Sequence, residues 1–374
     1  MVGIDTGRRQ LEDLLGVAGV VLDGTQPWDI QVDDPRLPQR LLLGGSLALG
    51  ESYMDGWWQC RDLDGLLTRL LTAGLDRTQH PRWRLVLAGL KARLFNPQSR
   101  RRSFEVGRRH YDIGNDLYAA MLGRRMVYSC GYWRRAETLD DAQEAKLDLA
   151  CRKLQLEPGM RLLDIGCGWG ELLRFAVERH QVEGVGVTVS REQAEYARRL
   201  CQGLPITIHL CDYRDLDQAF DRIVSIGMFE HVGVRNYPVF FDRLRHSLPG
   251  DGLALLHTIG SNESVTRTDP WIGTYIFPNS MLPSAAQIAG SVEGRLIIED
   301  WHNFGADYDR TLRAWRDNIE AVWERLSVRY DQRFRRMWRY YLAASMALFR
   351  SRRGQLWQIM LSPDGVPGGY VAPR

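Results

Sequence analysis

The sequence contains no run approaching the ~18 consecutive apolar residues that cross a bilayer, so no membrane-spanning segment is expected. Its opening residues, Met-Val-Gly-Ile-Asp-Thr-Gly-Arg-Arg-Gln, put an acid and two arginines where a secretory leader needs an apolar stretch. Cysteine is scarce: Cys60, Cys130, Cys151, Cys167, Cys201 and Cys211 form no C-x-x-C pair and no dense framework, which points away from a disulfide scaffold. Free thiols in a reducing cytoplasm are the expectation, and no metal site is expected. A strong charge of one sign is missing too: 49 basic against 46 acidic residues leave a net +3, too little to imply a nucleic-acid partner. No repeat or low-complexity segment is evident.

At 374 residues the chain is long enough for two domains or one large one, with a substantial core. The small net charge is unevenly spread. Lys91 to Arg109 carries seven basic residues against the single Glu105, and Arg333 to Arg353 interleaves arginines with Phe334, Trp338, Tyr340, Tyr341 and Phe349. Such stretches are either solvated helix faces or contacts for anionic lipid, which is worth ~1 kcal/mol per basic residue near the surface. Residues 9–75 read as helical, with Leu11, Leu14 and Leu15, then Leu63, Leu66, Leu67 and Leu70, at helical spacing. A short extended stretch at Trp28–Val32 interrupts them. We expect a mainly helical N-terminal domain over 1–95, a basic linker over 96–109 and a larger domain over 110–374.

In the larger domain, strand and helix patterns alternate. Arg161–Asp164, Gly184–Val189, Ile206–Leu210, Asp221–Ile226 and Leu253–Thr258 read as strands, with helices at Asp141–Leu154 and Glu192–Cys201. Such alternation predicts an α/β fold with a mainly parallel, doubly wound sheet and ligands at the carboxyl ends of its strands. The segment Leu162-Leu-Asp-Ile-Gly-Cys-Gly-Trp-Gly-Glu-Leu-Leu173 reads as strand, tight turn and helix, with Gly166, Gly168 and Gly170 in the turn. The third glycine comes one residue too early for the dinucleotide fingerprint. An acid on the strand followed by G-x-G-x-G instead resembles the first motif of the class I methyltransferases, which have a Rossmann-like sheet and bind S-adenosylmethionine.

That resemblance implies a set of cofactor residues. Asp164, Gly166, Cys167 and Gly168 form the turn. Thr188 and Gln193 stand where many methyltransferases place an acid for the ribose hydroxyls, while Ser190 is better suited to capping the next helix. Asp212 can accept from the adenine amine with Tyr213 against the ring; a loop aspartate is otherwise usually a turn residue.

Further motifs narrow the resemblance. His110-Tyr-Asp-Ile-Gly-Asn-Asp116, Tyr128-Ser-Cys-Gly-Tyr-Trp133, Met228-Phe-Glu-His-Val-Gly233, Leu255-Leu-His-Thr-Ile-Gly260 and Trp301-His-Asn-Phe-Gly-Ala-Asp-Tyr308 occur in this order. Together they resemble the bacterial cyclopropane-fatty-acyl-phospholipid synthases over essentially the whole chain. The resemblance implies a methylene transfer from S-adenosylmethionine to a cis double bond in a phospholipid acyl chain, with bound bicarbonate as proton acceptor. It places Tyr128 and Ser129 with the cofactor, and Cys130, Glu230, His257, Ile259 and Tyr308 around the bicarbonate. Ile259 and Cys130 would act there through backbone groups. His231 and His302 are left as structural. Ser345 stands where some relatives have a cysteine, so it is assigned no catalytic role.

The resemblance further implies a homodimer, docked from the cytoplasm on the inner face of the membrane by the N-terminal domain and the basic stretches. Two other readings stay open. One is a relative that methylates acyl chains without closing a ring or acts on carrier-bound chains; the other is a scaffold built on an inactive methyltransferase fold. The intact motifs argue against the scaffold, and residues 1–100 argue for phospholipid over carrier-bound chains.

Overall fold

The computed structural model describes residues 2–76 and 114–374. The basic linker at 96–109, the basic cluster from Lys91 and residues 110–113 of the H-Y-D-x-G-N-D motif lie outside the described residues.

One compact unit is a seven-stranded sheet covered on both faces. Its strands are β1 (Arg161–Ile165), β2 (Glu183–Thr188), β3 (Ile206–Leu210), β4 (Arg222–Ile226), β5 (Leu253–Ser261), β6 (Ile297–Asn303) and β7 (Gly354–Ser362). They lie in the order β3-β2-β1-β4-β5-β7-β6. β1 to β5 pair in parallel, in the register Asp164 against Gly186 and Ile226 against His257, while β6 runs antiparallel to β7.

Alternation along the strands builds a core on each face. Leu163, Ile165, Ile223, Ala254, Leu256, Ile359 and Leu361 pack with Tyr237, Phe240, Phe241 and Leu244 of the helix Tyr237–Ser247. Leu162, Val224, Leu253, Leu255 and Met360 turn the other way, onto Leu147 and Ala150 of Leu139–Lys153 and Leu172 and Phe175 of Glu171–His180. The five strands expected from the sequence are present within a few residues. β6 and β7, absent from that reading, complete the sheet. Their contrast explains the omission: β7 is buried throughout, whereas β6 carries Glu299, Asp300 and His302 on a half-exposed edge.

The second unit is discontinuous. Residues 2–76 pack with Thr268–Pro278 and Leu312–Gly354, so the sequence expectation of one contiguous domain from 110 onward is not what the chain builds. The reason is the helix Gln332–Arg350, whose buried face presents Trp338, Tyr340, Leu342, Met346 and Phe349. That face needs an apolar partner, and the helices Leu37–Met54 and Leu63–Thr72 supply it. The Arg336 guanidinium lies 4.0 Å from the centre of the Tyr53 ring and donates to the carbonyl of Trp58 at 2.8 Å. Arg333, Arg350 and Arg353 pair with Asp55, Asp64 and Asp76. The aromatic–basic stretch 333–353, expected from sequence as a lipid contact, is therefore largely core and ion pairs. Val2–Gly16 is a further helix among the described residues of this unit, and the extended stretch becomes a two-residue strand, Gln31–Val32, paired with Trp58–Gln59. Among the described residues no helix is long and apolar enough to cross a membrane.

Candidate active site

The sheet opens a pocket at the carboxyl ends of its parallel strands. All ten residues assigned from sequence to the cofactor line it: Tyr128, Ser129, Asp164, Gly166, Cys167, Gly168, Thr188, Gln193, Asp212 and Tyr213. Trp169, Glu171 and Met228, which sequence reasoning missed, line it too, as does His231, which that reading left as structural.

The turn after β1 is shaped by backbone, not side chains. Gly166 has φ +85° and Gly168 φ +53°, conformations that side-chain-bearing residues rarely adopt. A Cβ on Gly166 would also stand 2.8 Å from Cβ of Met228. The amides of Gly166 and Cys167 both donate to the carbonyl of Val187, at 2.9 and 3.0 Å, which ties the turn to β2. Asn115, from the H-Y-D-x-G-N-D motif, accepts from Trp169 Nε1 at 3.0 Å and so fixes one wall.

Next along the pocket, the Thr188 hydroxyl donates to Gln193 Oε1 at 2.9 Å, which orients the amide of Gln193. Ser190 accepts from the Gln193 amide at 3.3 Å and caps the helix Arg191–Leu200, the structural role expected of it. Asp212 differs from expectation. Its carboxylate accepts a forked pair from Arg214, at 2.8 and 2.6 Å, and the Arg214 amide at 3.0 Å, so much of its accepting capacity is already in use.

The five residues expected around the anion do not themselves line the pocket, but Cys130 and Glu230 adjoin the lining residues Ser129 and His231 in the chain. Glu230 follows β4 in the turn Phe229–His231, and its Oε1 accepts from the amide of Ile259 at 2.6 Å. Its other oxygen is buried with no hydrogen-bond partner among the described residues. Burial raises the Glu230 pKa, the direction that favours the acid form, in which this second oxygen can donate. His257 on β5 is 1% exposed. Gln358 Nε2, a donor, stands 3.3 Å from His257 Nδ1, so Nδ1 accepts and the proton resides on Nε2, which is buried and has no partner among the described residues. Burial, followed by the charges of Lys146 and Lys153, lowers the His257 pKa well below its usual value and keeps the ring neutral.

The Ile259 amide, expected as a donor to the anion, is spent on Glu230, so that part of the expectation is corrected; its carbonyl accepts from the Thr258 hydroxyl at 3.2 Å. Cys130 is fully buried, with Sγ 3.1 Å from the carbonyl of Gly131 and 3.8 Å from Thr311 Oγ1. Burial pushes its thiol pKa far up, so it is no thiolate nucleophile. Thr311 also accepts from the Gly131 amide at 3.1 Å and from Trp133 Nε1 at 2.8 Å. It thereby fastens the Y-S-C-x-Y-W segment to the helix Ala306–Ala321, on which Tyr308 lies buried. Among the described residues, no group of three or more His, Cys, Asp or Glu side chains is placed to hold a metal ion.

Comparison with known proteins decides what this arrangement is. Residues 98–359 match the family model described as mycolic acid cyclopropane synthetase. The chain belongs to that cyclopropane synthetase family. It is 50% identical over 370 residues to cyclopropane-fatty-acyl-phospholipid synthase of Escherichia coli (strain K12), covering 99% of this chain and 97% of the relative. Tuberculostearic acid methyltransferase UfaA1 of Mycobacterium tuberculosis is 33% identical over 358 residues, 88% of this chain and 82% of its own. The solved structure of mycolic acid cyclopropane synthase CmaA1 complexed with SAH and CTAB superposes with a TM-score of 0.65 at 33% identity, covering 69% of this chain and 98% of that one. The sheet is thus the class I methyltransferase fold. The protein is an enzyme of the cyclopropane synthetase family with S-adenosylmethionine as methyl donor, and its chemistry is cyclopropanation.

Proposed function

We propose that the protein adds a methylene across the cis double bond of unsaturated acyl chains in membrane phospholipids, with bicarbonate as the proton acceptor. Identity of 50% to a cyclopropane-fatty-acyl-phospholipid synthase across nearly the whole chain, first 97 residues included, carries the phospholipid reading.

The chemistry sets the demands on the site. The alkene π electrons attack the sulfonium methyl carbon, the C–S bond breaks with its electrons passing to sulfur, and a carbocation remains on the acyl chain. A proton must then leave the transferred methyl so that its C–H electrons close the ring. Bicarbonate, when bound, supplies the base for that proton. The chain's residues suit such an anion: His257 as a neutral Nε2–H imidazole and Glu230, whose raised pKa favours its acid form, each present a buried polar atom with no partner among the described residues. A buried polar group without a partner costs ~1–3 kcal/mol, which a matching ligand offsets. In the same reading Tyr308 and the backbone of Cys130 and Ile259 complete the set. The dry surroundings of Phe304, whose ring centre lies 5.7 Å from that of His257, keep water from capturing the cation.

The enzyme acts as a homodimer from the cytoplasmic side, docked on the inner face of the membrane. Its test is incubation with vesicles of unsaturated phospholipid and S-adenosylmethionine, followed by analysis of the acyl chains. A gain of one CH2 that resists ozonolysis supports the reading. The same gain with an ozone-sensitive double bond would place the protein with relatives that do not close the ring.

A further inference from the structure

We propose that Lys146 is a cofactor-binding residue: with Ser129 it receives the α-carboxylate of S-adenosylmethionine, opposite Asp164, which takes the α-ammonium. The proposal rests on assigning the pocket to this cofactor.

Three observations carry it. Lys146 lines the pocket from the helix Leu139–Lys153, 1% exposed, and its Nζ has one hydrogen bond among the described residues, to Ser129 Oγ at 3.0 Å. An ammonium has three donors, and a buried one is stable only when they are matched. The pocket's other cation, Arg214, is locked to Asp212, and Glu171 is already matched by Arg125 and Arg174. Lys146 is the lining cation left for an anionic ligand group.

The second observation is placement. Along β1, Leu162 packs with Leu147, and by the two-residue period Asp164 faces the same side of the sheet, toward Lys146. Strand order supplies the third. The β3 end holds Asp212 and Tyr213, the β2 end Thr188, and the β1 end Asp164, in that lateral sequence. With adenine at the first and ribose at the second, the amino-acid end falls at the third. A zwitterion there meets one anion and one cation.

The i, i+3 neighbour supports this arrangement. Gln143 donates to the carbonyl of Ser129 at 2.8 Å, so the same helix face grips the segment that carries the hydroxyl. Charged or titratable groups around Lys146 are Cys130, Asp164, Glu171, Cys151 and His257; those around Asp164 are Lys146 and Cys167. Burial raises the Asp164 pKa to about 7, and Lys146 opposes that rise.

The test compares S-adenosylmethionine with its decarboxylated analogue, which keeps the adenosine, sulfonium and amine, by calorimetry on the full chain. Lys146→Met should weaken S-adenosylmethionine at least tenfold, ~1.4 kcal/mol, and leave the analogue within about twofold. Lys146→Gln gives the same comparison if the methionine variant does not fold. In either variant the acid limb of the binding curve should move to higher pH, because Asp164 loses the cation that favours its charged form. Equal weakening of both ligands, or of neither, overturns the proposal. Failure of the wild-type chain to bind either ligand overturns the pocket assignment itself, and the Lys146 role with it.

Discussion

Glu230 Oε1 lies 2.6 Å from the main-chain nitrogen of Ile259, so the acid that follows β4 is fastened to β5 two residues beyond His257. One oxygen is used for position and the other is left for chemistry. Glu230→Gln keeps an acceptor for the Ile259 amide and a donor toward the ligand, but loses the exchangeable acid proton. Its kcat should fall by ~10²-fold or more, while S-adenosylmethionine affinity stays within about twofold. In Glu230→Ala, activity should also stop responding when bicarbonate is removed by degassing and then restored. Steady-state kinetics across a bicarbonate series checks both, and a fully active Glu230→Ala would exclude the acid from the mechanism.

Gly166 has two reasons to be glycine, its φ of +85° and the 2.8 Å that would separate a Cβ from Met228. Gly166→Ala should weaken S-adenosylmethionine at least tenfold, ~1.4 kcal/mol, with the circular dichroism of the folded chain retained. Gly168 has open space around the Cβ position, so its alanine variant reports backbone conformation alone. Calorimetric affinity at wild-type level in Gly166→Ala would refute the requirement.

Three imidazoles are held neutral by burial: His257 well below its usual value, and His231 and His302 lowered to about 4 from an ordinary 6.5. Below 6.5 the unfolded chain takes up these protons and the folded chain does not, so stability is full above that value and drains away as pH falls toward 4. Denaturant melts should show the midpoint falling between about pH 7 and about pH 5. His231→Phe should flatten that slope if the substitution is tolerated, and an unchanged slope would remove His231 from the account.

The proposed membrane docking is tested on the surface of the intact chain. Deleting residues 1–100 would strip the partner from Gln332–Arg350 and expose Trp338 and Tyr340, so the truncated chain would fail for reasons of folding. Single changes on the surface are cleaner. Among the described N-terminal residues, Leu43 on the helix Leu37–Met54 and Val17 and Val21 in the loop after Val2–Gly16 are largely exposed apolar side chains, Leu43 at 82%. We expect Leu43→Asp to lower co-sedimentation with anionic vesicles without altering stability. Raising salt from 0.1 to 1 M contracts the Debye length from ~10 to ~3 Å and should reduce wild-type binding without abolishing it. Binding untouched by Leu43→Asp would move the insertion point elsewhere.

The sequence by itself determined the sheet's first five strands, the glycine turn and ten residues that line one pocket at the strand ends. These depend on local patterns: apolar runs, turn residues and motifs whose spacing survives without knowledge of the fold. Ser190 is an example, since a cap acts within three residues of itself. Tertiary structure alone decided what long-range contacts decide. It recruited 268–278 and 312–354 to the N-terminal unit because the apolar face of one distant helix had to be covered. It turned an aromatic–basic stretch that resembled a membrane contact into core. It spent the Ile259 amide on Glu230 and the Asp212 carboxylate on Arg214. Lys146 was invisible in sequence for the same reason: a lysine in a charged helix reads as solvated, and only packing against the sheet buries its ammonium beside Ser129, its one hydrogen-bond partner among the described residues.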